Sequence, residues 1–128
     1  MNAMYPENLR YTPTHEWAHL DGDVTVGITE FAQEELGDLV YVDLPPLGKT
    51  VSAGDLLASV ESVKTVSDVY APVAGTVIEV NARLADEPGL VNTSPYDEGW
   101  LMKLSRIELG EADHLLTADQ YEHGLTSH

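Results

Sequence analysis

The chain has 128 residues and no cysteine, which excludes disulfide scaffolds, thiolate metal sites and cysteine nucleophiles. Twenty-two acidic residues stand against 6 basic ones, a formal net charge of −16, so the chain should be repelled by nucleic acid and anionic membranes and attracted to basic patches on other proteins. Its 43% apolar content, with 10 Gly and 7 Pro, is that of a globular protein, and the length suits one compact domain, 1–128, able to bury a core without staples.

The apolar runs are a few residues long, against the ~20 needed to span a bilayer. The N-terminus, Met-Asn-Ala-Met-Tyr-Pro-Glu, carries neither a secretory signal pattern nor a transit-peptide pattern. The expectation is a cytoplasmic protein, mitochondrial only if a leader has already been removed.

In chain order, the first motif is His15-Glu16-Trp17-Ala18-His19, a literal match to the H-E-x-x-H signature of zinc proteases. That chemistry needs a helix, because only there do histidines four apart share a face. Thr12-Pro13-Thr14 before the motif and Leu20-Asp21-Gly22-Asp23 after it leave too few residues for one. In an extended segment the two histidines are about 13 Å apart and cannot hold one ion. The spacing therefore predicts a strand running into an Asp-Gly turn, with Trp17 in the core and no metal site.

Val24, Val26 and Ile28 alternate with Thr25 and Gly27 as a half-buried strand. Thr29 is a candidate N-cap for a short helix with Ile28, Phe31, Ala32 and Leu36 on one face and Gly37 as its stop. Strands follow at 39–44, around Leu56, Ala58 and Val60, at 66–70 and at 76–80, and a last one is marked by Trp100, Met102 and Leu104. Leu39-Val40-Tyr41-Val42 echoes Val77-Ile78-Glu79-Val80, and Gly54-Asp55-Leu56-Leu57 echoes Gly89-Leu90-Val91 less well, a faint repeat consistent with a pseudo-twofold. Thr117 and Gln120 form a capping box, Leu116 and Tyr121 a staple, and Gly124 a candidate stop, so the chain should end in a helix. The pattern predicts a mostly-β flattened barrel or sandwich, core about 24–105, with short peripheral helices and a C-terminal helical extension at about 109–124.

Between Lys49 and Arg83 there is a single cation, Lys64, in Val60-Glu61-Ser62-Val63-Lys64-Thr65-Val66-Ser67-Asp68. With strands on both flanks, it falls at a hairpin tip. An ordinary exposed lysine is one reading; an amine placed for acylation, giving a tethered group reach on a rigid scaffold, is the other.

Glu61-Ser62-Val63-Lys64, Ser67-Asp68-Val69 and Ala71-Pro72-Val73-Ala74-Gly75 together resemble a lipoyl-attachment hairpin, and specifically that of the glycine cleavage H-protein family. Tyr11-Thr12-Pro13-Thr14-His15-Glu16-Trp17, Val26-Gly27-Ile28-Thr29, Val42-Asp43-Leu44-Pro45 and Asn92-Thr93-Ser94-Pro95-Tyr96-Asp97-Glu98-Gly99-Trp100 match the same family in order, so the resemblance runs from about Tyr11 to Tyr121. Biotin carriers share the hammerhead-like fold but set their lysine between methionines, and lipoyl domains of 2-oxoacid dehydrogenases place Asp before it; here Val63 and Thr65 flank Lys64.

The resemblance implies a non-catalytic carrier with lipoate on Lys64 as N6-lipoyllysine. It implies passage of an aminomethyl group from the P protein to the T protein, reoxidation by the L protein, and loading by lipoate-attaching enzymes. It also implies that the loaded arm folds back into a cleft, where Thr14, Glu16 and Asp68 (the last through side chain or carbonyl) meet its amine by motif match. A monomer that binds neither nucleic acid nor membrane fits such a shuttle. The alternatives are a lipoyl relay or another lipoyl or biotinyl carrier, and at a distance a zinc hydrolase built on His15, Glu16 and His19.

Overall fold

The computed structural model describes residues 5–106 and 115–126. Two antiparallel sheets face each other. The larger runs in the order β1 (Arg10–Tyr11), β2 (Glu16–Asp21), β3 (Asp23–Ile28), β9 (Met102–Arg106), β8 (Gly75–Val80), β5 (Thr50–Val51). The smaller has three strands: β4 (Leu39–Asp43), β6 (Leu56–Ser62) and β7 (Val66–Tyr70). The sheets do not close on one another, and the fold is the flattened, mostly-β architecture expected from the strand rhythm.

Alternation decides which side chains enter the space between the sheets. In β3, Val24 and Val26 are fully buried while Thr25 looks outward, and Val26 stands opposite Met102 of β9. From the other sheet, Val42 of β4 pairs with Val60 of β6, and both join Val69, Val77 and Leu104 in one core cluster. The two segments of the faint echo, 39–42 and 77–80, lie in different sheets, as a pseudo-twofold requires. Its weaker half fails: Gly54 leads into β6, but Gly89 leads into a single helical turn, α2 (Leu90–Thr93). Val91 on that turn is buried, so its apolar run fills the core from a helix rather than a strand.

Helix α1 (Glu30–Leu36) begins where the sequence placed it. Thr29 Oγ1 accepts the Ala32 amide at 3.2 Å, and Gly37, at φ 85°, closes the end with its N–H on the Gln33 carbonyl. Helix α3 (Ala118–Thr126) shows the capping box in both directions: the Thr117 amide donates to Gln120 Oε1 at 3.0 Å and the Gln120 amide to Thr117 Oγ1 at 3.2 Å. Gly124 does not end α3, which continues to Thr126; no left-handed conformation is found there to make it a cap. The expected extension from about 109 falls partly, at 109–114, outside the described residues. The last strand starts at Met102, not Trp100, and β4 stops at Asp43 before Leu44 and the two prolines.

Strand β2 carries Glu16 to His19 in extended form and runs into the Asp-Gly turn as expected, whereas His15 stands before the strand at φ 76°. Trp17 is buried, though in a second cluster with Tyr5, Leu9, Tyr11 and Tyr121 rather than between the sheets. Its indole N–H donates to the Pro95 carbonyl at 2.9 Å and its ring lies over Gly27, where an added Cβ would fall 2.5 Å from ring atoms. Gly27→Ala should therefore displace Trp17 and lower stability by about 1–3 kcal/mol, the range for overpacked cores, read as a shift in the denaturant midpoint.

Candidate functional site

The β6–β7 hairpin sets the position of Lys64. Ser62, the last residue of β6, is buried, and its side chain organises the turn from inside. Ser62 Oγ accepts the amides of Lys64 (3.2 Å) and Thr65 (3.1 Å) and donates to the Thr65 carbonyl (3.2 Å), while the Ser62 amide also donates to that carbonyl at 2.8 Å. A second anchor comes from outside the hairpin: the Val63 amide donates to the Asp38 carbonyl at 3.1 Å. The tip backbone is thus pinned while Val63, Lys64, Thr65 and Val66 are all exposed. The lysine stem runs beside the end of α1, where a Cβ on Gly37 would lie 3.5 Å from Lys64 Cε.

A cleft of ≈ 230 Å³ lies between α1 and β7. Phe31, Ala32, Glu35 and Leu36 of α1 form one wall, and Ser67, Asp68 and Val69 form the other. Thr14, His15 and Glu16 stand at the cleft as well. Three to four residues of strand separate Lys64 from Ser67 and Asp68, about 10–13 Å of path at ~3.3 Å each. The structure therefore brings Thr14, Glu16 and Asp68 to one cleft, with Lys64 on the hairpin that borders it.

Glu16 is almost fully buried, and its carboxylate is already engaged. Oε1 accepts the hydroxyls of Thr12 and Thr14, each at 2.5 Å, and Oε2 accepts the Tyr70 amide of β7 at 3.0 Å. The Thr12 hydroxyl oxygen in turn accepts the Glu16 amide at 3.1 Å. Burial pushes this carboxyl above the usual glutamate value, against the opposing pull of the Thr12, Thr14 and Tyr70 hydrogen bonds. What Glu16 offers a cationic guest is its charge, since its oxygens already hold donors; such a guest would in turn favour the ionised form. Asp68 is exposed, on the opposite face of β7 from Ser67 and Val69 by alternation. Its Oδ2 accepts the Tyr70 hydroxyl at 3.4 Å.

The zinc-protease pattern is taken apart by the fold. His15 precedes β2 at φ 76° and puts Nδ1 2.7 Å from the Tyr121 hydroxyl. His19 lines a different cavity, ≈ 330 Å³, with Trp17, Thr25, Trp100 and Lys103. Among the described residues no three His, Cys, Asp or Glu side chains gather to hold a metal ion.

Sequence reasoning missed Ser62 as the turn's internal brace, although a serine entering a tight hairpin turn is a readable signal. It missed Gly37 beside the lysine stem and the participation of Tyr121, which no local pattern encodes.

This arrangement has counterparts among known proteins. The profile of the glycine cleavage H-protein family matches residues 9–128. The chain belongs to that family. A glycine cleavage system H protein of Listeria welshimeri is 54% identical over 121 residues, covering 94% of this chain and 97% of the relative. That of Alcanivorax borkumensis is 55% identical over 118 residues, covering 91% and 92%. The crystal structure of a glycine cleavage system H protein from Mycobacterium marinum superposes with a TM-score of 0.87 at 45% identity, covering 94% of this chain and 98% of that one. The family's proteins are lipoate carriers and the carrier component of a multienzyme system. No helix among the described residues is long and apolar enough to cross a membrane.

Two outcomes are expected at Glu16. Glu16→Ala strands the Tyr70 amide and the Thr12 hydroxyl in a buried site and should lower stability by about 2–4 kcal/mol in urea unfolding. Glu16→Gln keeps the shape without the charge. Because the folded carboxyl titrates above its unfolded value of 4.5, the native residue's advantage over Gln is fully present below that value. It should shrink as pH rises through the folded pKa, so paired urea curves at acid and neutral pH would show the difference moving toward Gln.

Proposed function

We propose that this chain, acting as one carrier domain, bears lipoate in amide linkage on Lys64 and shuttles an aminomethyl group from the P protein to the T protein, with the L protein reoxidising the dithiol. The observation that carries the reading is the placement of one exposed amine on a pinned turn, in the hairpin whose second strand walls a cleft lined by both apolar and oxygen-bearing side chains. The bound group supplies the redox and transfer chemistry. The protein's own residues anchor it, give it a place to rest and keep water from it.

The cleft fits such an arm. Phe31, Ala32, Leu36 and Val69 suit a hydrocarbon chain, and the Thr14–Glu16 end suits an ammonium group. On this reading Asp68 meets the arm through its main chain, because its side chain turns toward Tyr70. The carrier contributes no general acid or base. Its contribution is concentration: a tethered group visits each partner's site as an intramolecular event. Lys64 acylation deletes one of only 6 cations, leaving a still more acidic surface for brief, salt-sensitive docking on basic partner faces in the cytoplasm.

The test is direct. Lys49, Lys64 and Arg83 are consecutive tryptic sites. Protein from native cells should yield Thr50–Arg83 uncut at Lys64 and heavier by one lipoyl group; a biotin increment or a free, cleaved Lys64 would overturn the reading. Lys64→Arg should leave the unfolding midpoint within about 0.5 kcal/mol, as for an exposed site. It should also abolish glycine decarboxylation in a mixture reconstituted with the P, T and L proteins.

A further inference from the structure

The C-terminal helix meets the residues around the cleft through Tyr121, whose ring packs edge-on against His15 at 5.7 Å between centroids. The Tyr121 hydroxyl lies 2.7 Å from His15 Nδ1 and 2.8 Å from Thr29 Oγ1, joining α3 to residues 106 and 92 positions away in sequence. Both contacts bear on the cleft. His15 lines it and packs its ring against Phe31, also a lining residue, at 4.8 Å between centroids. Thr29 is the N-cap of α1, and the same Oγ1 that meets Tyr121 accepts the Ala32 amide, so its orientation sets the start of the helix that forms one wall.

His15 also holds a left-handed backbone, φ 76°, which a non-glycine residue keeps only where its surroundings enforce it. Tyr121 is itself fixed: it is 2% exposed and stacks on Tyr11 at 4.9 Å with 14° between planes. Burial raises its phenol, so the hydroxyl stays protonated at neutral pH and remains a donor as well as an acceptor.

We propose that Tyr121 is a positioning residue for the carrier's cleft: its hydroxyl bolts His15 and the α1 N-cap together, so that docking of the C-terminal helix sets the shape in which the arm is received. The claim about receiving the arm rests on the carrier reading above; the claim about the bolt does not. Tyr121 is not among the residues lining the cleft, so its influence passes through His15 and Thr29.

The experiment compares Tyr121→Phe with Tyr11→Phe in the full chain. Each removes one hydroxyl from the same stacked pair, but Tyr11 donates its own to the Pro6 carbonyl, away from the cleft. In the unmodified protein, amide hydrogen exchange at Ala32 should accelerate about fivefold in Tyr121→Phe, the factor for one lost hydrogen bond of ordinary strength. It should be unchanged in Tyr11→Phe. In the lipoylated, aminomethyl-loaded protein without T protein, hydrolysis of the thioether by water to thiol, formaldehyde and ammonia should speed up by a similar factor in Tyr121→Phe alone. His15→Asn, which removes the other end of the bolt while tolerating the left-handed backbone, should reproduce both effects, and it serves if Tyr121→Phe does not fold. Equal acceleration in Tyr11→Phe, or none in Tyr121→Phe and His15→Asn, overturns the proposal. If the wild-type chain accepts no lipoate while Tyr121→Phe still accelerates exchange at Ala32, the carrier reading fails and the bolt stands.

Discussion

One buried hydroxyl holds the β6–β7 turn from within. Ser62 Oγ receives the amides of Lys64 and Thr65 and returns its proton to the Thr65 carbonyl, so three backbone groups at the tip find partners inside the hairpin. An isolated two-stranded hairpin is marginal in water. Here β4 pairs along the outer edge of β6, and the Asp38 carbonyl takes the Val63 amide, so the tip is tied to a third strand and to the loop after α1. The consequence is a separation of roles. The turn backbone is fixed, the lysine side chain is solvent-exposed, and any group carried on it sweeps a volume set by its own length rather than by wandering of the anchor.

The same tie places the cleft. Asp38 follows Gly37, and Gly37 ends α1, so the hydrogen bond that steadies the hairpin also fixes the distance between the hairpin and the helix walling the cleft. Glu16 does the equivalent at the entry to β2. It reaches across to the Tyr70 amide of β7 while Thr12 and Thr14 hold its other oxygen. The site's most buried acid is thus a strut as well as a charge. A strut that is also a carboxylate is expensive to bury, and a hydrophobic replacement could not take the Tyr70 amide. Burial raises the titration of this carboxyl, and its three hydrogen-bonded partners, Thr12, Thr14 and the Tyr70 amide, pull it back.

Much of this was legible in the sequence because it is local. Alternation gave β3 and the existence of β6, although a register shift between Leu56 and Ala58 leaves Leu56 exposed and buries Leu57 instead; Thr29 and Gly37 bracketed α1; Thr117 and Gln120 announced α3; and the setting of Lys64 between two strands placed it at a tip. The H-E-x-x-H decoy yielded to the same local argument, since Pro13 and Gly22 leave no room for a helix. What was not legible is either too short or too distant. The one-turn α2 has no period to detect, and its Leu90-Val91 run reads equally as strand. Gly124 is a stop signal by type only; whether it caps depends on a backbone angle that composition does not set. Glu16 as a strut needs Tyr70, 54 positions on.

The link from Tyr121 to His15 and Thr29 is the extreme of that second kind, and it bears on why a carrier of this size keeps a helix outside its sandwich. The sheets bury their own core without α3, whose residues instead join the separate cluster of Tyr5, Leu9, Tyr11 and Trp17. Removed from the inter-sheet core, α3 contributes through what it clamps: β1 by the stacking of Tyr121 on Tyr11, and the residues around the cleft by the Tyr121 hydroxyl. An element held by a small peripheral cluster opens more readily than the core does. Clamping the residues around the cleft from such an element leaves the inter-sheet core, and with it the hairpin that bears Lys64, packed independently of α3.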